Sequence, residues 1–261
     1  MSKIDERFSL AGKVAVVTGA GGRGNSIGRA YAMGLASAGA AVVAADLNED
    51  GAKRVADEIV AEGGTALGVK VDITDRASVD RLAQAAKDAF GGVDILVNNA
   101  ALMAELRFEP AIAIPIEEWN RILNVNLTGA LNCAQALVPS MRERGGGRIV
   151  NQLSAGAFPP ASVYGISKIA LMGLTTTLAR ELGRDKINVN AIAPGMTMSD
   201  AGRSLTPEDS PFAQMVAAQA VIHARGEPDD LVGALLLLCS GAGGWISGQV
   251  LHVDGGYIVR P

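Results

Sequence analysis

Tyr164 and Lys168 stand four positions apart in Tyr164-Gly165-Ile166-Ser167-Lys168, within a segment from Ser162 to Gly183 whose apolar spacing predicts a long helix. Four residues are just over one helical turn, so phenol and amine rise from one face. That pairing suits proton transfer. A free phenol titrates near ~10, too high to lose its proton readily at neutral pH, and an adjacent ammonium favours the phenolate; Lys168 is therefore expected to lower the pKa of Tyr164. Upstream, Ser154 follows the apolar run Arg148-Ile149-Val150-Asn151-Gln152-Leu153, which predicts a buried strand opening into a loop. A hydroxyl there could hold a substrate oxygen beside the phenol. Because Tyr-x3-Lys also occurs on solvated helix faces, the elements around the pair decide its meaning.

Those elements alternate. Lys13 to Thr18 is a continuous apolar run, followed by the glycine-rich stretch Gly19 to Gly28, an amphipathic helix ending at Gly39, and a second apolar run, Ala41 to Ala45, ending at Asp46. Glycines let such a loop approach a pyrophosphate at a helix N-terminus, and an acid near position 46 suits the adenosine ribose hydroxyls. The pattern continues with a helix over 49–62, a strand over 66–71 ending at Asp72, a helix from 74 or 75 to 90, and a strand over 93–97 before Asn98-Asn99-Ala100. A helix over 115–141 carrying Asn126, the Ser154 strand, the Tyr164 helix, and a strand over 187–193 cut off by Pro194-Gly195 follow. A helix over 228–239 and a strand over 249–253 close the chain. This order predicts a doubly wound parallel sheet with helices on both faces and ligand loops at the strands' C-terminal ends. Residues 195–225 break the rhythm with Pro207 and Pro211 and are expected to form a lid.

Length fits one dinucleotide-binding and catalytic domain over 1–261, with 1–11 as an N-terminal extension. A net charge of -4 without a Lys/Arg block argues against nucleic acid or an anionic membrane as partner. Cys133, Cys239, His223 and His252 lack metal-site spacing, so no metal is expected. A polar N-terminus and no apolar run of ~20 residues point to a cytoplasmic protein.

The ordered set Thr18-Gly19 to Gly28, Asp72, Asn98-Asn99-Ala100, Asn126, Ser154, Tyr164-x3-Lys168, Pro194-Gly195 and Val253-Asp254-Gly255-Gly256 resembles the short-chain dehydrogenase/reductases, in their small subtype, from Gly12 nearly to the end. The resemblance implies Tyr164 as general acid or base, Ser154 on the substrate oxygen, Lys168 on Tyr164 and the nicotinamide ribose, and Asn126 anchoring a water that links Lys168 to solvent. It further implies cofactor contacts at Gly19, Arg23, Ser26, Ile27, Gly28, Asp46, Asp72, Ile73, Asn99, Ala100, Pro194, Gly195 and Thr197, and a homotetramer. This chain departs from the family in three places. Its glycine loop is about three residues longer than Gly-x3-Gly-x-Gly, Ala101 replaces a common glycine, and the loop from Ser154 to Tyr164 is short.

Asp46 favours NAD(H), since its carboxylate would repel the extra phosphate of NADP; Arg23 in the glycine loop could bind that phosphate. Met103, Phe158 and Met196, with Leu102, Leu153 and Pro159, are expected to wall an apolar substrate pocket. Hydride transfer between NAD(H) and a small secondary alcohol or ketone is the reading. The alternatives are a 3-oxoacyl thioester reductase using NADPH and a non-catalytic NAD-sensing module.

Overall fold

The computed structural model describes residues 2–22, 24–103, 110–207 and 209–259. Among these, the apolar runs become seven parallel strands: β1 (Val14–Thr18), β2 (Ala41–Asp46), β3 (Thr65–Lys70), β4 (Ile95–Asn98), β5 (Gly147–Gln152), β6 (Ile187–Pro194) and β7 (Val250–Val253). They lie in the order β3-β2-β1-β4-β5-β6-β7. The connecting helices are α1 (Lys3–Phe8), α2 (Ile27–Ser37), α3 (Glu49–Ala61), α4 (Arg76–Phe90), α5 (Ile116–Leu123), α6 (Gly129–Glu143), α7 (Val163–Leu182), α8 (Asp200–Leu205), α9 (Pro211–Gln219) and α10 (Val232–Cys239).

Strand alternation sends β1 side chains to two cores. Ala15 and Val17 pack with α2, α3 and α10 through Leu35, Ile59 and Leu235. Val16 packs with α4, α6 and α7 through Leu82, Leu137 and Leu178. Helices therefore cover both faces, which is why the central strands carry almost no polar residues. The chain winds outward from β1 to β3, then restarts beside β1 with β4, so the loops after β1 and β4 diverge and leave a crevice at their C-terminal ends.

Two expected helices change, and the stretch expected as a lid gains secondary structure. The helix foreseen over 115–141 is interrupted by a π-helical turn, Asn124–Thr128, between α5 and α6. Residues 195–225 contain two short helices, α8 and α9, whose first turns are capped by the hydroxyls of Ser199 and Ser210. Pro228 opens a 3-10 turn, Pro228–Leu231, with α10 beginning only at Val232.

At the end of the sheet opposite the crevice, buried Asp94 holds several segments together. Its carboxylate accepts from Val14 N (2.9 Å), Lys13 Nζ (3.2 Å) and Arg144 Nε (2.9 Å). Burial alone would raise its pKa, but the bonds from Arg144 and Val14 and the charge of Lys13 outweigh burial and hold the carboxyl below its ordinary value. A depressed acid stabilises the fold above its unfolded pKa and loses that contribution as pH falls through the folded value. Asp94→Asn should cost about 1–3 kcal/mol at neutral pH and flatten the acid limb of stability, as read from urea melts between pH 7 and 3; an unchanged acid limb would show that the carboxylate contributes nothing.

Candidate active site

The crevice is a cleft of about 470 Å³ running from Asp46 past the glycine loop to Tyr164 and Lys168. At its first end Gly19 adopts a left-handed backbone (φ +69), and a side chain at Gly28 would run into the carbonyl of Gly19, so the loop can fold back tightly onto α2. Ser26 caps α2 by accepting from Arg29 N at 3.2 Å. Asp46, at the end of β2, accepts from Gly21 N and Asn48 N, each at 2.9 Å. One face of the loop is thus pinned to the strand that supplies the acid. Asn99 pins the other by donating from Nδ2 to the carbonyls of Thr18 (3.0 Å) and Gly19 (3.1 Å). Asp72 accepts from Thr74 N and Oγ1 through one oxygen, and Ile73 and Ala100 also border the cleft.

At the other end α7 supplies Tyr164 and Lys168, its first turn fixed by Ser162 accepting from Gly165 N. Lys168 is 1% exposed, and its Nζ donates to the carbonyl of Gln152 at the end of β5 (2.7 Å), lying 5.4 Å from the centroid of the Tyr164 ring. Burial drives the amine down to about 7. The same cause pushes the Tyr164 phenol up to about 12, opposed by a hydrogen bond with Ser154. In the protein by itself burial is thus the larger effect on Tyr164, and Ser154 is the group that opposes it. Ser154, Tyr164 and Lys168 do share the cleft, with Pro194, Gly195 and Thr197 along its rim.

Asn126 is brought to α7 by the π-helical turn rather than by a regular helix. Its Oδ1 accepts from Leu102 N (2.8 Å), while Nδ2 donates to Leu102 O (3.2 Å) and Ser167 Oγ (3.0 Å). Ser167 in turn donates to the carbonyl of Tyr164. The side chain thus ties the loop after β4 to the turn bearing Tyr164.

Of the six pocket residues expected, Leu102, Met103 and Leu153 line this cleft, whereas Phe158, Pro159 and Met196 do not. Phe158 turns away, packing against the cluster of Leu153, Ala191 and Ala193 and lying 5.1 Å from the His252 ring. Met196 lines an adjoining cavity of about 330 Å³ beside α9, which shares Gly195 and Thr197 with the cleft. Arg23 lies outside the described residues.

Some cleft residues escaped the sequence reading. Gln152, Leu47, Thr74 and Ser199 border the cleft. Gln152 had a signal, being a polar residue near the end of an apolar strand. The lengthened glycine loop also has a partner: Asn25 O accepts from Asp200 N (2.9 Å), Asn25 N donates to the Asp200 carboxylate (3.2 Å), and Asn25 Nδ2 donates to Glu227 (3.2 Å). Asn25 thus ties the loop to Asp200 at the start of α8.

Comparison with known proteins agrees with this fold. Residues 22–258 match the family described as Enoyl-(Acyl carrier protein) reductase. An uncharacterised oxidoreductase of Mycobacterium tuberculosis (strain ATCC 25618 / H37Rv) is 45% identical over 95% of this chain and 98% of its own. A 7 alpha-hydroxysteroid dehydrogenase solved with NADH and 7-oxo glycochenodeoxycholic acid superposes with a TM-score of 0.88 at 37% identity, covering 98% of each chain. The chain is a short-chain dehydrogenase/reductase. A gluconate 5-dehydrogenase from Burkholderia cenocepacia J2315, solved with NADP and tartrate, gives a TM-score of 0.89 at 34% identity over 97% of this chain and 98% of that one.

As a member of this family it is an NAD(P)-dependent oxidoreductase, and its cleft fits such a cofactor. The tight approach of Gly19 and Gly28 keeps the loop clear of side chains, the N–H groups at the start of α2 suit a pyrophosphate, and Asp46 and Lys168 mark the two ends.

Proposed function

We propose that this enzyme uses NAD(H) to interconvert a small apolar secondary alcohol and its ketone, with Tyr164 as proton-transfer group. The observation that carries the reading is the meeting of Ser154, Tyr164 and buried Lys168 in the same cleft as Asp46. The nicotinamide would supply or accept the hydride, leaving the proton to the protein. A phenol raised to about 12 is protonated at neutral pH, the form that ketone reduction needs in a general acid. Ser154 holds the substrate oxygen beside it. In the direction of oxidation Tyr164 must first give up its proton, which a protonated Lys168 favours. Asn126 acts on this reaction by setting the turn that carries Tyr164.

Among the described residues lining the cleft, only Asp46, Asp72 and Lys168 carry charge. Leu102, Met103 and Leu153 supply apolar wall near Tyr164. With Lys168 as the one cation among the described lining residues, and apolar wall near Tyr164, the reading is an uncharged ring or short-chain alcohol. Tyr164-x3-Lys168 also differs from the Tyr-x6-Lys pattern resembled by enoyl reductases of this fold. Residues 195–225 serve as lid over one domain spanning 1–261, working in the cytoplasm as a homotetramer.

Asp46 supports NAD(H) preference, because each carboxylate oxygen spends one acceptor position on the loop and keeps another for a ribose diol. Fluorescence titration should show NADH binding at least about tenfold more tightly than NADPH; equal affinities would remove the preference. Tyr164→Phe should lower ketone turnover by about 10²–10⁴-fold with NADH affinity unchanged. Retained turnover in that variant would place the acid elsewhere.

A further inference from the structure

Gln152 is 6% exposed and ends β5, with its side chain on the α2 side of the sheet. Its Oε1 accepts from the hydroxyl of Tyr31 at 2.8 Å. Tyr31 is fully buried on α2, one turn beyond Gly28, so the helix that begins at the glycine loop also orients this amide. The backbone carbonyl of the same residue holds Lys168. No hydrogen bond within the described protein engages its Nε2, and this nitrogen is not among the buried polar atoms left unpaired. Because Gln152 lines the cleft, that NH₂ group opens into it.

A packing role alone explains this poorly. A buried amide costs free energy unless its polar atoms are satisfied, and an apolar residue facing Phe rather than Tyr at position 31 would fill the same space without that cost. The amide instead keeps one end fixed by a buried hydroxyl and presents two donors to a cleft whose expected occupant is rich in acceptor oxygens. It stands two residues before Ser154 and its carbonyl holds Lys168, which places it toward the nicotinamide half of a dinucleotide rather than the adenosine half at Asp46.

We propose that Gln152 is a cofactor-binding residue, its NH₂ group donating to an acceptor oxygen on the nicotinamide half of the bound dinucleotide while Tyr31 holds the amide in register. The inference rests on the cofactor reading above. By the same strand end, Gln152 links cofactor contact to Lys168: the side chain meets the dinucleotide and the carbonyl receives the amine.

The test compares binding of NADH, and of AMP as a probe of the adenosine half alone, to wild type and variants by fluorescence and calorimetric titration. Gln152→Leu would leave the Tyr31 hydroxyl buried without a partner, so the informative variant is Tyr31→Phe/Gln152→Leu, which removes both polar groups together. It should melt close to wild type, bind NADH about five- to tenfold more weakly and bind AMP within about twofold of wild type. Gln152→Glu keeps an acceptor for Tyr31, so it retains the fold while setting a carboxylate against an anionic ligand. It should weaken NADH by more than about tenfold, with partial recovery as pH falls.

NADH affinity unchanged in both variants, or AMP weakened as much as NADH, would overturn the assignment. Failure of wild type itself to bind NADH would instead overturn the cofactor reading on which it rests.

Discussion

A lysine amine removed from water sits against the carbonyl that ends β5, and much of the site follows from that contact. An amine 1% exposed has lost its hydration, so its position is set by the few oxygens that replace water. Gln152 O is the one the structure provides. The bond fixes α7 against the C-terminal end of the sheet and sets the height of the turn carrying Tyr164. It also leaves the amine easy to deprotonate, at about 7, so the charge beside Tyr164 responds to what enters the cleft.

Around that contact the other polar groups divide between holding the backbone and meeting ligand. Asn99, Asn126 and Ser167 are spent on backbone groups or on one another. They keep the loops after β1 and β4 and the first turn of α7 in fixed relation. Ser154, Tyr164 and the Gln152 amide keep polar atoms toward the cleft. Asp46 does both, bracing Gly21 and Asn48 while bordering the cleft. The structure therefore separates a rigid frame from the groups able to exchange protons or hydrogen bonds with what it binds.

Much of this was legible in the sequence. Parallel strands buried on both faces must be nearly all apolar, which made Val14–Thr18, Ala41–Asp46 and Ile95–Asn98 visible as runs, and Tyr164, Lys168 and Ser154 stood at spacings that only a helix and a strand end could bring together. The π-helical turn was not legible, because apolar periodicity continues through Asn124–Thr128 while the backbone slips by one residue to turn Asn126 inward. Helix α9 was obscured because Phe212 and Met215 remain exposed, contrary to the usual amphipathic pattern. Phe158 misled through proximity in sequence: its neighbours are chosen by β6 and β7, which come later in the chain. The Tyr31 to Gln152 bond joins residues 121 positions apart, a pairing no local pattern encodes.

Whether the buried amine governs the site is open to direct measurement. Protein carrying lysine labelled with ¹³C at Cε would be titrated by NMR without cofactor, with Lys168→Met identifying the signal. The account requires a midpoint for Lys168 near 7, the mark of an amine stripped of water and held by a carbonyl. A midpoint at the ordinary 10.5 would mean that the amine is hydrated, and would contradict the arrangement from which the chemistry of Tyr164 has been derived.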